Sequence, residues 1–145
     1  KGLTPDKILQ PNPNLAPLFT PNPTDAEIDL LIADMNHDIN NETRNQVRTI
    51  FKNTDPQFRV HMAASIGAGA YSDEIANVEN SGLPLCVVFG DKERLCFIEY
   101  LNTIELKKWG DKIHIIANAG HNFQYDQPAK FSVLLKEFAD SCFTE

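Results

Sequence analysis

"PLCVVFGDKE", residues 84–93, and "KIHIIANAGHN", residues 112–122, decide how this chain folds. Each opens on an apolar run of strand length, rich in β-branched residues, and each closes on glycine and polar residues. Runs without polar alternation belong to parallel strands covered on both faces. "FIEYLNTIEL" (97–106) reads as a helix between them. "PAKFSVLLKEFADSCF" (128–143) reads as a closing helix with Phe131, Leu134, Leu135 and Phe138 on one face. Strand, helix, strand, helix is a βαβα unit, for which a right-handed crossover is expected. The carboxyl ends of the two strands then lie side by side, where open α/β sheets bind ligands.

Those strand ends carry chemistry. The first leads into "GDKER" (90–94) and the second into "NAGHN" (118–122), so acidic side chains and a histidine leave the same edge of one sheet. A catalytic histidine needs a carboxylate on one ring nitrogen to fix its tautomer and stabilise the imidazolium. His121 is thus a candidate general base, against the plainer reading of a histidine in a turn. His37, at a polar helix end, His61, within a helix, and His114, inside a strand, read as packing or surface residues.

The region before Leu83 is helical. "TDAEIDLLIADM" opens with a capping box, Thr24 to Glu27, and sets Ile28, Leu31, Ile32 and Met35 on one face. "NNETRNQVRTIFKN" gives a helix with Val47, Ile50 and Phe51 inward. Asp55 caps a third, with Pro56 at its first position, and Ser72 is expected to cap a fourth. Thr4 and Pro5 start a short helix near the beginning of the chain. The proline-rich stretch 11–23 is expected to be an irregular loop, because proline lacks a donor and restricts the residue before it. Leu15, Leu18 and Phe19 are its expected anchors, and "GAGA" (67–70) a flexible break.

Bulk composition bounds the partners. The chain has 145 residues, 42% of them hydrophobic, with 13 basic and 20 acidic side chains and a net charge of −7. That balance disfavours nucleic acid and anionic membranes. No apolar run is long enough to span a bilayer and no signal peptide is visible. Cys86, Cys96 and Cys142 fit neither a disulfide framework nor a zinc site, and read as reduced, buried thiols of a cytoplasmic protein.

The C-terminal stretch, from Leu83 to Phe143, resembles the end of the α/β-hydrolase family. An apolar strand ends in Gly-x-x-acid, here Gly90 and Glu93. A second strand ends in Gly-His, here Gly120 and His121. An acid-x-Pro-x-x-Phe follows, here Asp126, Pro128 and Phe131. The resemblance implies an α/β fold: a helical lid or cap over residues 1–82, then a βαβα part of the hydrolase core over 83–145. It implies His121 as base and Glu93 as the acid that orients it, with Asp91 as rival acid. It also implies a small-molecule substrate, no cofactor and no metal. Met35, Phe51, Phe58 and Met62 are candidate substrate-lining residues, although core packing suits each of them as well.

The family's nucleophile elbow, Gly-x-Ser-x-Gly, has no counterpart. "AASIG" (63–67) places Ser65 inside a helical run with no strand before it, so no nucleophile is expected in this chain. The expectation is therefore a C-terminal portion of a longer hydrolase, inactive alone. A rival is a non-catalytic dimerisation or partner-binding module on the same fold. Either way the open sheet edge predicts a homodimer or a domain swap. Metal-assisted hydrolysis through His121 and Asp126 is a weaker third reading.

Overall fold

The computed structural model describes residues 4–143. Two short parallel strands, β1 (Val87–Gly90) and β2 (Ile113–Ile116), pair in the register Val87↔Ile113 to Gly90↔Ile116. Helix α1 (Pro5–Ile8) precedes four helices: α2 (Asp25–Met35), α3 (Asn41–Asn53), α4 (Pro56–Gly67) and α5 (Glu74–Ser81). Helix α6 (Ile98–Asn102) lies between the strands, and α7 (Phe123–Asp126) and α8 (Pro128–Phe143) follow β2. The strands and α6 are shorter than the apolar runs implied, while α8 spans the expected residues.

Local chemistry sets the helix starts. Thr24 and Glu27 form the reciprocal capping box of α2, which satisfies two N–H groups that no helix turn can reach. Asp55 caps α4 with Pro56 at the first position. Two expectations need correction. Asp73, not Ser72, caps α5, accepting from the Ala76 N–H. The proline stretch is not irregular: Pro13–Phe19 is a 3-10 helix capped by Asn12. Pro13 starts the helix, where a missing N–H costs nothing, and Pro17 lies inside it, at the loss of one possible bond.

The core sits under α2. Ile28, Leu31 and Ile32 are all but fully buried, and Leu15, Leu31, Leu95 and Cys96 form one cluster. Ile8, Leu9, Leu18, Phe19, Met35, Phe51 and Phe89 pack against it. The anchoring of the proline stretch through Leu15, Leu18 and Phe19 therefore holds. Arg59, buried, donates to the carbonyls of Thr20 and Pro21 at 3.0 and 2.9 Å and lies over the Phe51 ring. It ties α4 to the end of the 3-10 helix.

The sheet is covered less than its sequence implies. Val87, Val88 and Phe89 are only half-buried, Ile115 is 51% exposed, and Leu135 on α8 is equally open. Ile50 on α3 likewise points outward, not inward. On the other strand face His114 stacks on Trp109, whose ring also meets Phe138 of α8 edge-on. Among the described residues no helix is long and apolar enough to cross a membrane.

Candidate active site

The loops after β1 and β2 are stitched to each other before any side chain of interest is placed. The Asp91 N–H donates to the Ile116 carbonyl at 3.0 Å, and the Lys92 N–H to the Ala119 carbonyl at 2.8 Å. Gly90 permits this approach: a Cβ there would lie 2.0 Å from the Ala119 oxygen. Gly120 has a similar reason, since a Cβ would meet the Met35 carbonyl at 3.0 Å. The positive φ in this loop belongs to Asn118, not to Gly120, and asparagine tolerates it.

The acid loop is held from two sides. The Glu93 Oε1 accepts from the Leu95 and Cys96 N–H groups at 2.6 and 3.1 Å. The backbone of residues 95–97 is strapped by the segment after α1. Gln10 N–H donates to the Leu95 carbonyl and Phe97 N–H to the Ile8 carbonyl, both at 2.7 Å, and the Gln10 amide reaches the Cys96 carbonyl at 2.8 Å. The remaining oxygen, Oε2, lies 3.0 Å from His121 Nδ1. Glu93 is 2% exposed at its side chain and His121 35%, so the pair has a buried acid and an accessible ring.

The histidine loop is held by Asp126. Its carboxylate accepts from Gly120 N–H at 2.7 Å, His37 N–H at 2.8 Å and Asp38 N–H at 3.1 Å. Asn122 N–H donates to the Met35 carbonyl at 2.9 Å. A buried carboxylate with three backbone donors is a staple between the end of α2 and the chain just before His121. Among the described residues the donor atoms gathered with His121 are those of Glu93 and Cys96, not of Asp126.

The rival acids separate cleanly. Asp91 accepts from the Ala119 N–H at 3.1 Å and lies 3.3 Å from Lys92 Nζ; Glu93, not Asp91, meets the imidazole. Burial raises the Glu93 carboxyl, but His121 and the backbone donors of Leu95 and Cys96 outweigh it and hold it below its ordinary value. The Cys96 sulfur and then the Glu93 carboxylate raise His121 to about 9, against the opposing effect of burial. Opposite charges and hydrogen bonds to the charged form favour it.

Ser65 is exposed on α4, inside the helix. The four candidate lining residues are not gathered at one place: Met35 and Phe51 pack on the core, Met62 is half-buried, and Phe58 is 59% exposed. A cavity of about 730 Å³ lies elsewhere, bounded by Val78, Leu83, Leu106, Trp109 and Cys142, and neither His121 nor Glu93 lines it. One residue and one segment of the site have little or no signal in the sequence. Cys96 was taken for a core thiol, yet its sulfur lies within 4.8 Å of ligand atoms of Glu93 and His121. The Glu-x-x-Cys spacing was its only signal. The strap at residues 8–10 had none.

No family model matches the sequence, and neither does any curated protein sequence. Three solved structures of the N-acyl homoserine lactonase AidH share its fold. The complex with N-butanoyl homoserine superposes at a TM-score of 0.83 with 21% identity, covering 97% of this chain and 51% of that one. A serine-to-glycine mutant complexed with N-hexanoyl homoserine lactone gives 0.82, with 21% identity and 96% and 51% coverage. A glutamate-to-glycine mutant complexed with N-hexanoyl homoserine gives 0.83, with 20% identity and 97% and 50% coverage. The chain thus has the fold of the C-terminal part of an α/β-hydrolase, and it spans about half the length of the structures it matches.

Proposed function

We propose that this chain supplies the acid and histidine of an α/β-hydrolase triad that cleaves a carboxylic ester, cyclic esters included. The observation that carries the reading is the 3.0 Å contact of a buried Glu93 with His121 at the carboxyl ends of adjacent parallel strands. With Glu93 ionised, the His121 Nδ1–H donates to it, which leaves Nε2 to take a proton from a nucleophile. The same imidazolium then returns that proton to the leaving alkoxide, and water repeats the cycle on the acyl intermediate. The nucleophile and oxyanion-hole donors belong to a segment N-terminal to Lys1, in keeping with the half-length match to lactonase structures. Residues 1–82 act as the lid over the reacting groups. By this reading residues 4–143 hydrolyse nothing unaided. In the full-length protein His121→Ala should lower kcat on a short-chain lactone or aryl ester by about 10⁶. Retained turnover with the fold intact sinks the assignment.

The apolar surface left open at Ile115, Val133 and Leu135 favours a second reading, a non-catalytic module that pairs with another copy. Triad activity in the full-length protein distinguishes the two.

A further inference from the structure

We propose that Glu93, Cys96 and His121 form a binding site for a zinc-like divalent cation. One carboxylate oxygen, one thiol sulfur and one imidazole nitrogen lie within 4.8 Å of one another. Zinc takes this donor set, and ligands about 2.0–2.3 Å from the ion stand about 3.5 Å apart in a tetrahedron. The carboxylate and ring are already 3.0 Å apart, so they have to spread by about 0.5 Å while the sulfur closes in. Cys96 and the Glu93 side chain are buried while the His121 ring reaches solvent, which gives a desolvated site with one open side. The backbone bonds that fix Glu93 Oε1 preorganise the carboxylate, as partners beyond the ligands do in metal sites.

The exchange balances. The ion replaces the proton shared by Nδ1 and Oε2 and the proton of the Cys96 thiol, so two protons leave as two positive charges arrive. The site keeps its net charge, and three protein ligands leave one coordination position for water. Binding stands on this geometry alone. Its consequence rests on the triad reading: an ion on Nδ1 takes the contact through which Glu93 orients the ring, so zinc inhibits the hydrolase reversibly.

The test titrates Zn²⁺ calorimetrically into the reduced protein and records spectra with Co²⁺ as reporter. One ion per chain and a thiolate-to-cobalt charge-transfer band are expected. Cys96→Ala should remove the band and weaken zinc roughly a hundredfold or more. Because Cys96 is part of the core, a second variant guards against misfolding: Cys86→Ala with Cys142→Ala leaves Cys96 as the last thiol and should keep both signals. Absence of one-to-one binding, unchanged affinity in folded Cys96→Ala, or a band lost with Cys86 and Cys142 overturns the site. None of these signals depends on turnover, so a failed triad and a failed metal site are told apart.

Discussion

The loop end of the sheet and the body of the sheet are built on opposite principles. At the loop end Gly90, Ala119, Gly120 and Asp126 are buried, and backbone donors are met by Asp91, Glu93 and Asp126. In the body of the same strands Val87 and Ile113 are only partly covered and Ile115 is exposed. Leu95, Cys96, Ile116 and Ala119 are buried at the loop end, but apolar burial alone does not explain how the strand ends are ordered. Polar groups, each with a stated partner, hold them, and they hold them around one imidazole.

The contrast breaks hardest at the acid. If order at the loop end serves the ring, Glu93→Gln in the full-length protein should lower kcat by about 10⁴, as a lost orienting carboxylate does. Asp91→Asn keeps an acceptor for the Ala119 N–H and should cost less than tenfold. Steady-state ester hydrolysis measures both, and the reverse ranking moves the acid to Asp91.

Stability sharpens it next. Asp126→Ala strands three N–H groups, two of them after α2 and one beside His121. An unsatisfied buried donor costs about 1–3 kcal/mol; Gly120 is buried while His37 and Asp38 are exposed to water, so a loss of about 2 kcal/mol in urea unfolding is expected. A loss under about 1 kcal/mol would show that the staple is ornamental.

The pH dependence follows from the charge on the ring. Cys96 and Glu93 raise His121 from an ordinary 6.5 to about 9, and an imidazolium accepts no proton. Turnover should therefore climb with pH and level near 9, about tenfold per unit on the rising limb. Cys96→Ala removes the first cause and should move the limb toward acid; an unmoved limb assigns the shift to Glu93 alone. Stability runs the other way. A raised folded-state pKa contributes fully below 6.5, and that contribution fades as pH rises through about 9.

The sequence made the strand pair, the helix starts at Thr24 and Asp55, and the Glu93–His121 pairing legible, because each depends on local pattern or on spacing along a known scaffold. Other features depended on contacts between distant segments. Asp126 reads as a helix-opening acid until its three donors are seen, two of them nearly ninety residues away. Cys96 reads as core because it is core; its second face, toward the ring, is a matter of side-chain direction. The 3-10 helix at Pro13–Phe19 was hidden by its prolines, which signal a break in regular structure although a short helix with Pro at its start forms here.

The body of the sheet supplies the smallest effect in energy. Ile115 is half-exposed on β2, and surface changes away from buried partners shift stability by no more than about 0.5 kcal/mol. Ile115→Lys should therefore leave urea unfolding almost unchanged. If the open sheet pairs with a second copy, as unprotected edges do, the same substitution should move the size-exclusion profile from dimer to monomer, because an exposed charge at that position opposes burial against another chain. A wild-type monomer at high concentration ends the dimer reading. A variant that stays dimeric places the contact off this edge, and the exposed Val133 and Leu135 of α8 become the next residues to change. Either result leaves the loop end untouched, since no hydrogen bond there uses the Ile115 side chain.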